Sequence, residues 1–88
     1  MYFVHVTEHV DKIFEKLSKR DKTQLKAIQK KILQILENPY KFKPLRAPLQ
    51  NKRRVHIDKS FVLLFSIDEK NKKVIVENYD HHDDIYKR

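Results

Sequence analysis

The chain has 88 residues, too few for more than one modest core, so a single domain over residues 1–88 is expected. Its 20 Lys and Arg against 12 Asp and Glu give a net charge of +8, which favours a polyanionic partner. Cysteine is absent, which excludes disulfides, thiolate metal sites and cysteine nucleophiles.

No apolar run approaches the ~18 residues of a membrane span. The opening "MYFVHVTEHV" lacks a basic start followed by an apolar stretch. A cytoplasmic protein without a membrane partner is the expectation. Glycine is absent too, so every tight turn has to use Asn, Asp, Pro or Lys.

In chain order, "YFVHV" (Tyr2–Val6) is β-branched and aromatic and predicts a strand. Val10, Ile13, Phe14 and Leu17 then recur at helical spacing and predict a helix from about Glu8 to Ser18. Asp21 is placed to cap a second helix, with Gln24 in the capping-box position. Leu25, Ile28, Ile32, Ile35 and Leu36 form its apolar stripe, while Lys22, Lys26, Lys30 and Lys31 fall largely off it. The helix must end before "NPY", because Pro39 disfavours a helical Asn38.

"KPLRAPL" is proline-punctuated and suits a loop or an edge strand. "RRVHID" alternates as a strand, and "FVLLFSI" (Phe61–Ile67) is apolar enough for a central strand buried on both faces. "DEKNKK" is a turn, and "VIVENY" (Val74–Tyr79) is the last strand. The order β-α-α-β-β-β implies an α+β fold, with a helical hairpin on one face of a four-stranded, mainly antiparallel sheet. Arg54 and His56 are then left for the other face.

Charge is not evenly spread. Between Lys41 and Ser60 the bases are Lys41, Lys43, Arg46, Lys52, Arg53, Arg54 and Lys59, against Asp58 alone. Such a concentration suits a binding surface better than scattered solubilising charge.

The chain closes on "DHHDDIYKR", Asp80 to Arg88, which concentrates histidines and carboxylates. If this tail stays extended, His81 and His82 point to opposite faces, and Asp80, His82, Asp84 and Tyr86 share one. A histidine with two carboxylates suits zinc or manganese. No HExxH-like spacing occurs, however, and the surroundings are cationic, so chemistry without metal or other cofactor is expected.

Acid/base chemistry fits these residue types better. Cleaving an RNA phosphodiester without metal needs one group to take the 2′-hydroxyl proton and another to protonate the 5′-oxygen. It also needs cations to stabilise the charge on phosphorus. His56 and His82 are the candidate proton carriers, and Arg54, Arg53, Lys52 and Arg46 the candidate cations. Lys59 and His81 are counted with them as substrate contacts. Phe61 and Tyr86 could stack on unpaired bases. Bland readings stand beside these: a strand histidine is often structural, Phe61 also suits the core, and Tyr86 also suits a C-terminal anchor.

The segments "PLRAPLQNKRRVHIDKSFVLLFSID" and "VENYDHHDDIY" resemble RelE-superfamily toxins of type II toxin–antitoxin systems, in particular the YafQ-like (RelE/StbE) mRNA interferases. The resemblance spans nearly the whole chain, although the first half matches in pattern alone. It implies metal-independent cleavage of mRNA in the ribosomal A site and silencing by an acidic cognate antitoxin. By position, His56 corresponds to a functional histidine in an R-x-H-I strand. His82 and Tyr86 correspond to the family's H-x-D-hydrophobic-aromatic motif, Phe61 to an aromatic beside an acid, and Arg54 to a commonly basic position.

Two residues depart from the pattern. Ser60 stands where YafQ-like members often carry Asp, and Val62 stands where typical RelE toxins carry Arg, so Arg54 or Arg53 would have to supply that cation. ParE-like siblings on the same scaffold inhibit DNA gyrase instead. They lack the paired histidines, so a nuclease is the expectation. A gyrase inhibitor and an inactive binding member are the alternatives.

Overall fold

The computed structural model describes residues 1–85. The chain runs β1 (Phe3–Val6), α1 (Glu8–Arg20), α2 (Lys22–Glu37), a short 3-10 turn (Pro39–Lys41), β2 (Lys52–Ile57), β3 (Phe61–Asp68) and β4 (Lys73–His81). The strands form one sheet in the order β1-β4-β3-β2. β1 joins β4 in parallel, and the other pairings are antiparallel. The predicted α+β fold and element order are therefore present. The last strand differs: it runs on through Asp80 and His81.

The glycine-free turns are solved by two left-handed residues, Asp58 (φ 55°) in the β2–β3 turn and Lys72 (φ 54°) in the β3–β4 turn. Asp21 works at both ends of the helical hairpin. Its amide donates to the Leu17 carbonyl (2.8 Å) to close α1, and its carboxylate accepts from the Gln24 amide (3.0 Å) to open α2.

Cross-strand partners share a face. The row Val55–Leu63–Tyr79, with Phe65 and Val76, therefore faces the helices and meets Val10, Ile28, Ile35 and Leu36 in the main core. The Tyr79 hydroxyl donates to Gln24 Oε1 (2.5 Å), and burial holds it protonated well above the usual tyrosine range.

The other face carries a smaller cluster of Val62, Leu64 and Ile85, with Leu45 against it. β3 is thus buried on both sides, which accounts for its nearly unbroken apolar run. Ile85 reaches this cluster from beyond the end of the sheet and is only 3% exposed. Ile85→Ala is expected to cost about 2–5 kcal/mol of stability, read as a lower urea midpoint with an unchanged m-value.

A polar cluster ties the N-terminus to the far end of the sheet. Glu69 accepts hydrogen bonds from the Tyr2 and Tyr40 hydroxyls, both at 2.6 Å, and from Lys72. These donors, Lys72 first, hold the Glu69 carboxyl at about 2, below its ordinary 4.5. The same carboxylate pushes the Tyr40 hydroxyl up to about 12. Because the folded-state value is depressed, the stabilisation is complete above the ordinary value and fades as pH falls towards 2. Thermal melts of wild type and Glu69→Gln should therefore differ at pH 6 and converge as pH approaches 2.

Candidate functional site

Alternation along β2 sends Arg53, Val55 and Ile57 towards the helices and Lys52, Arg54 and His56 to the opposite face. The loop before β2 lies along this strand. The Leu45 amide donates to the Lys52 carbonyl (2.9 Å), and the Arg54 amide to the Lys43 carbonyl (3.4 Å). This loop and the strand enclose an open groove of about 430 Å³, lined by Lys43, Pro44, Leu45, Arg46 and Arg54. Three cations line it and no acid does, which suits an anionic ligand such as a phosphodiester.

Not every base of the second half faces that groove. Lys52 pairs with Glu77, the extra residue where the β3–β4 register shifts. Arg53 points to the helix side: Nη1 donates to the Phe42 carbonyl (2.5 Å), and its guanidinium lies 5.1 Å from the centre of the Tyr40 ring. Arg54 and Arg46 therefore line the groove, whereas Lys52 and Arg53 are engaged elsewhere. Lys59 sits exposed in the β2–β3 turn, beside Ser60.

The tail does not stay extended. His81 is still in β4, paired with Phe61. The His82 amide donates to the Ser60 carbonyl (2.8 Å), and the chain then turns, with the Asp84 and Ile85 amides both donating to the His81 carbonyl (2.9 and 3.1 Å). Burial of Ile85 over Val62 and Leu64 requires this bend. The His81 and His82 rings consequently stack, with centroids 4.6 Å apart and planes at 29°, instead of pointing apart. Asp83 serves both: its carboxylate oxygens lie 3.0 Å from His82 Nδ1 and 3.5 Å from His81 Nδ1. Sequence reasoning missed Asp83, because a residue adjacent to His82 can reach its ring only once the chain turns.

His56 and His82 come from strands that are not neighbours, since β3 lies between β2 and β4. His56 shares a row with Val62 and Asp80, and His82 lies one pleat further on. With strands about 4.8 Å apart and about 6.7 Å per two residues, that register sets their Cα atoms roughly 12 Å apart. Phe61 is on the helix side, stacked on Tyr79 (5.4 Å) and edge-on to His81 (5.7 Å), so it supports the histidine pair from behind. Tyr86, expected as the closing aromatic, lies outside the described residues.

The family model of the ParE toxin of type II toxin–antitoxin systems (parDE) matches residues 4–86. The chain belongs to the RelE/ParE family of type II toxins. It is 57% identical over 88 residues to a protein of Methanocaldococcus jannaschii that carries the provisional name toxin RelE4, covering 100% of this chain and 94% of that one. It is 54% identical over 86 residues to an uncharacterised protein of Methanosarcina mazei, covering 98% and 100%.

Among solved structures, this RelE/ParE-family toxin is similar in fold to the isolated Escherichia coli RelE toxin, with a TM-score of 0.76, 21% identity, and 92% of this chain and 84% of that chain covered. It is also similar to a chain of the RelBE2 toxin–antitoxin complex of Mycobacterium tuberculosis, with a TM-score of 0.74, 25% identity and coverages of 92% and 98%. No helix among the described residues is long and apolar enough to cross a membrane.

Proposed function

We propose that this toxin is a ribosome-dependent endoribonuclease that cleaves mRNA in the A site by histidine acid/base chemistry without a metal cofactor. The observation that carries the reading is one surface. The cation-lined groove at Lys43, Arg46 and Arg54 shares a sheet face with His56, and the turn that carries His82 and Asp83 lays Ile85 on that same face.

In the proposed reaction, one histidine removes the 2′-hydroxyl proton as that oxygen attacks phosphorus. The other protonates the departing 5′-oxygen, leaving a cyclic phosphate on one fragment and a 5′-hydroxyl on the next. Asp83 orients the His82 ring through Nδ1, as second groups orient catalytic histidines generally. Arg54, with Arg46 beside it, stabilises the charge that builds on the phosphoryl oxygens. Arg54 thereby takes the place left by Val62.

The cognate partner in this reading is an acidic antitoxin. The RelBE2 relative is a toxin–antitoxin complex, and the +8 charge of this chain favours an acidic protein that covers the groove.

One other reading has a specific observation behind it: the matching family model is described by ParE, whose members act on gyrase in the resemblance set out above. Primer extension on mRNA from cells induced to express the toxin separates the two. Cuts within translated codons support the nuclease. Intact mRNA accompanied by DNA damage would transfer the assignment to gyrase inhibition.

A further inference from the structure

The turn after β4 gathers three donor groups into one small volume, and we propose that His81, His82 and Asp83 bind a divalent transition-metal ion of the zinc type. One ligand atom from each of the three lies within 4.8 Å of the other two. The closer separations are 3.0 Å from His82 Nδ1 to Asp83 Oδ1 and 3.5 Å from His81 Nδ1 to Asp83 Oδ2. In a tetrahedral zinc site with bonds of about 2.0–2.1 Å, neighbouring donor atoms sit roughly 3.3 Å apart. The side chains are therefore near a coordinating arrangement, and small rotations complete it.

The donor set names the class of ion. Two imidazoles and one carboxylate suit zinc or a neighbouring transition metal, whereas magnesium and calcium prefer oxygen alone. Three protein ligands leave an open position for water or a phosphate oxygen. Local charge agrees: residues 80–84 contain three aspartates and no Lys or Arg, within a chain that is strongly basic elsewhere. The backbone is already fixed at both ends of the turn, by the bond from the His82 amide to Ser60 and by buried Ile85. The Asp83 amide donates to His81 Nδ1 (3.2 Å), and coordination at that nitrogen would replace this one bond.

A consequence follows that rests on the reading under Proposed function. An ion on His82 Nδ1 displaces the contact with Asp83 and leaves the neutral ring with its one proton on Nε2, where it has no lone pair to accept another, so the metal silences the nuclease instead of serving it. Binding and inhibition are separable, and so are their tests.

The tag-free full-length toxin, stripped with a chelator, is titrated with zinc in competition with a chromophoric chelator. One ion per chain is expected. His81→Ala and Asp83→Ala should each weaken binding roughly 10- to 100-fold. His5→Ala with His9→Ala should leave it unchanged, and circular dichroism should show every variant folded. No zinc bound by the folded chain, or equal affinity in His81→Ala and Asp83→Ala, overturns the site. In the second arm, zinc should abolish RNA cleavage and excess chelator should restore it. Zinc bound at one per chain with cleavage unaffected upholds the site and overturns the role given to His82.

Discussion

His82→Ala should lower the rate of mRNA cleavage by about 10²–10⁴-fold, the usual cost of removing one well-placed acid or base. The fold should survive, because the side chain is about half exposed (46%) and the bond that holds the turn to Ser60 is made by the backbone amide. Single-turnover cleavage of a programmed ribosome, with circular dichroism as control, checks both halves. Adding His56→Ala to this variant should cost far less than the two separate losses combined, since the two proton transfers belong to one displacement at phosphorus. Asp83→Asn keeps the shape of the side chain and removes the charge facing Nδ1, so a smaller loss is expected. A folded His82→Ala toxin that cleaves at the wild-type rate would end the acid/base reading. The groove at Arg54 would then be a binding surface only.

The sequence reveals the sheet better than the site. Strand and helix positions follow from periods of two and about 3.6, and those periods survive into the structure because each element buries one patterned face. The unbroken run of β3 correctly implied burial on two sides, and the Asp21–Gln24 cap was legible from spacing alone.

What was not legible depends on long-range placement. No local pattern says that β3 separates β2 from β4, and so no pattern sets the distance between His56 and His82. Glu69 meets Tyr2 across 67 residues and Tyr40 across 29. Arg53 and Arg54 look equivalent in sequence, yet alternation sends one to the Tyr40 ring and the other to the groove. The tail is the clearest case. An extended reading follows from the strand before it, and only the need of Ile85 for the Val62–Leu64 patch bends it and brings the two histidine rings together.

Phe65→Ala should be the most destabilising single truncation in the chain. The ring is 0% exposed, lies opposite Arg53 on one side and Val76 on the other, and meets Phe42 edge-on at 5.9 Å. Truncating a buried phenylalanine typically costs about 3–5 kcal/mol, part of it the transfer of the ring to water and part the cavity left behind. A chain of this size has about 4–13 kcal/mol of stability in all, so the loss reaches a large fraction of the total. Urea denaturation should show a much lower midpoint, and Phe65→Leu should recover most of it, because the leucine refills much of the space. The location of the ring adds a second expectation. Phe65 belongs to the helix side of β3, whereas the groove and His56 occupy the other side. Cleavage per folded molecule should therefore be unchanged in Phe65→Ala once activity is divided by the folded fraction. A fall in that normalised rate would mean that the two faces of β3 are mechanically coupled, and that the groove owes its shape to the packing beneath it.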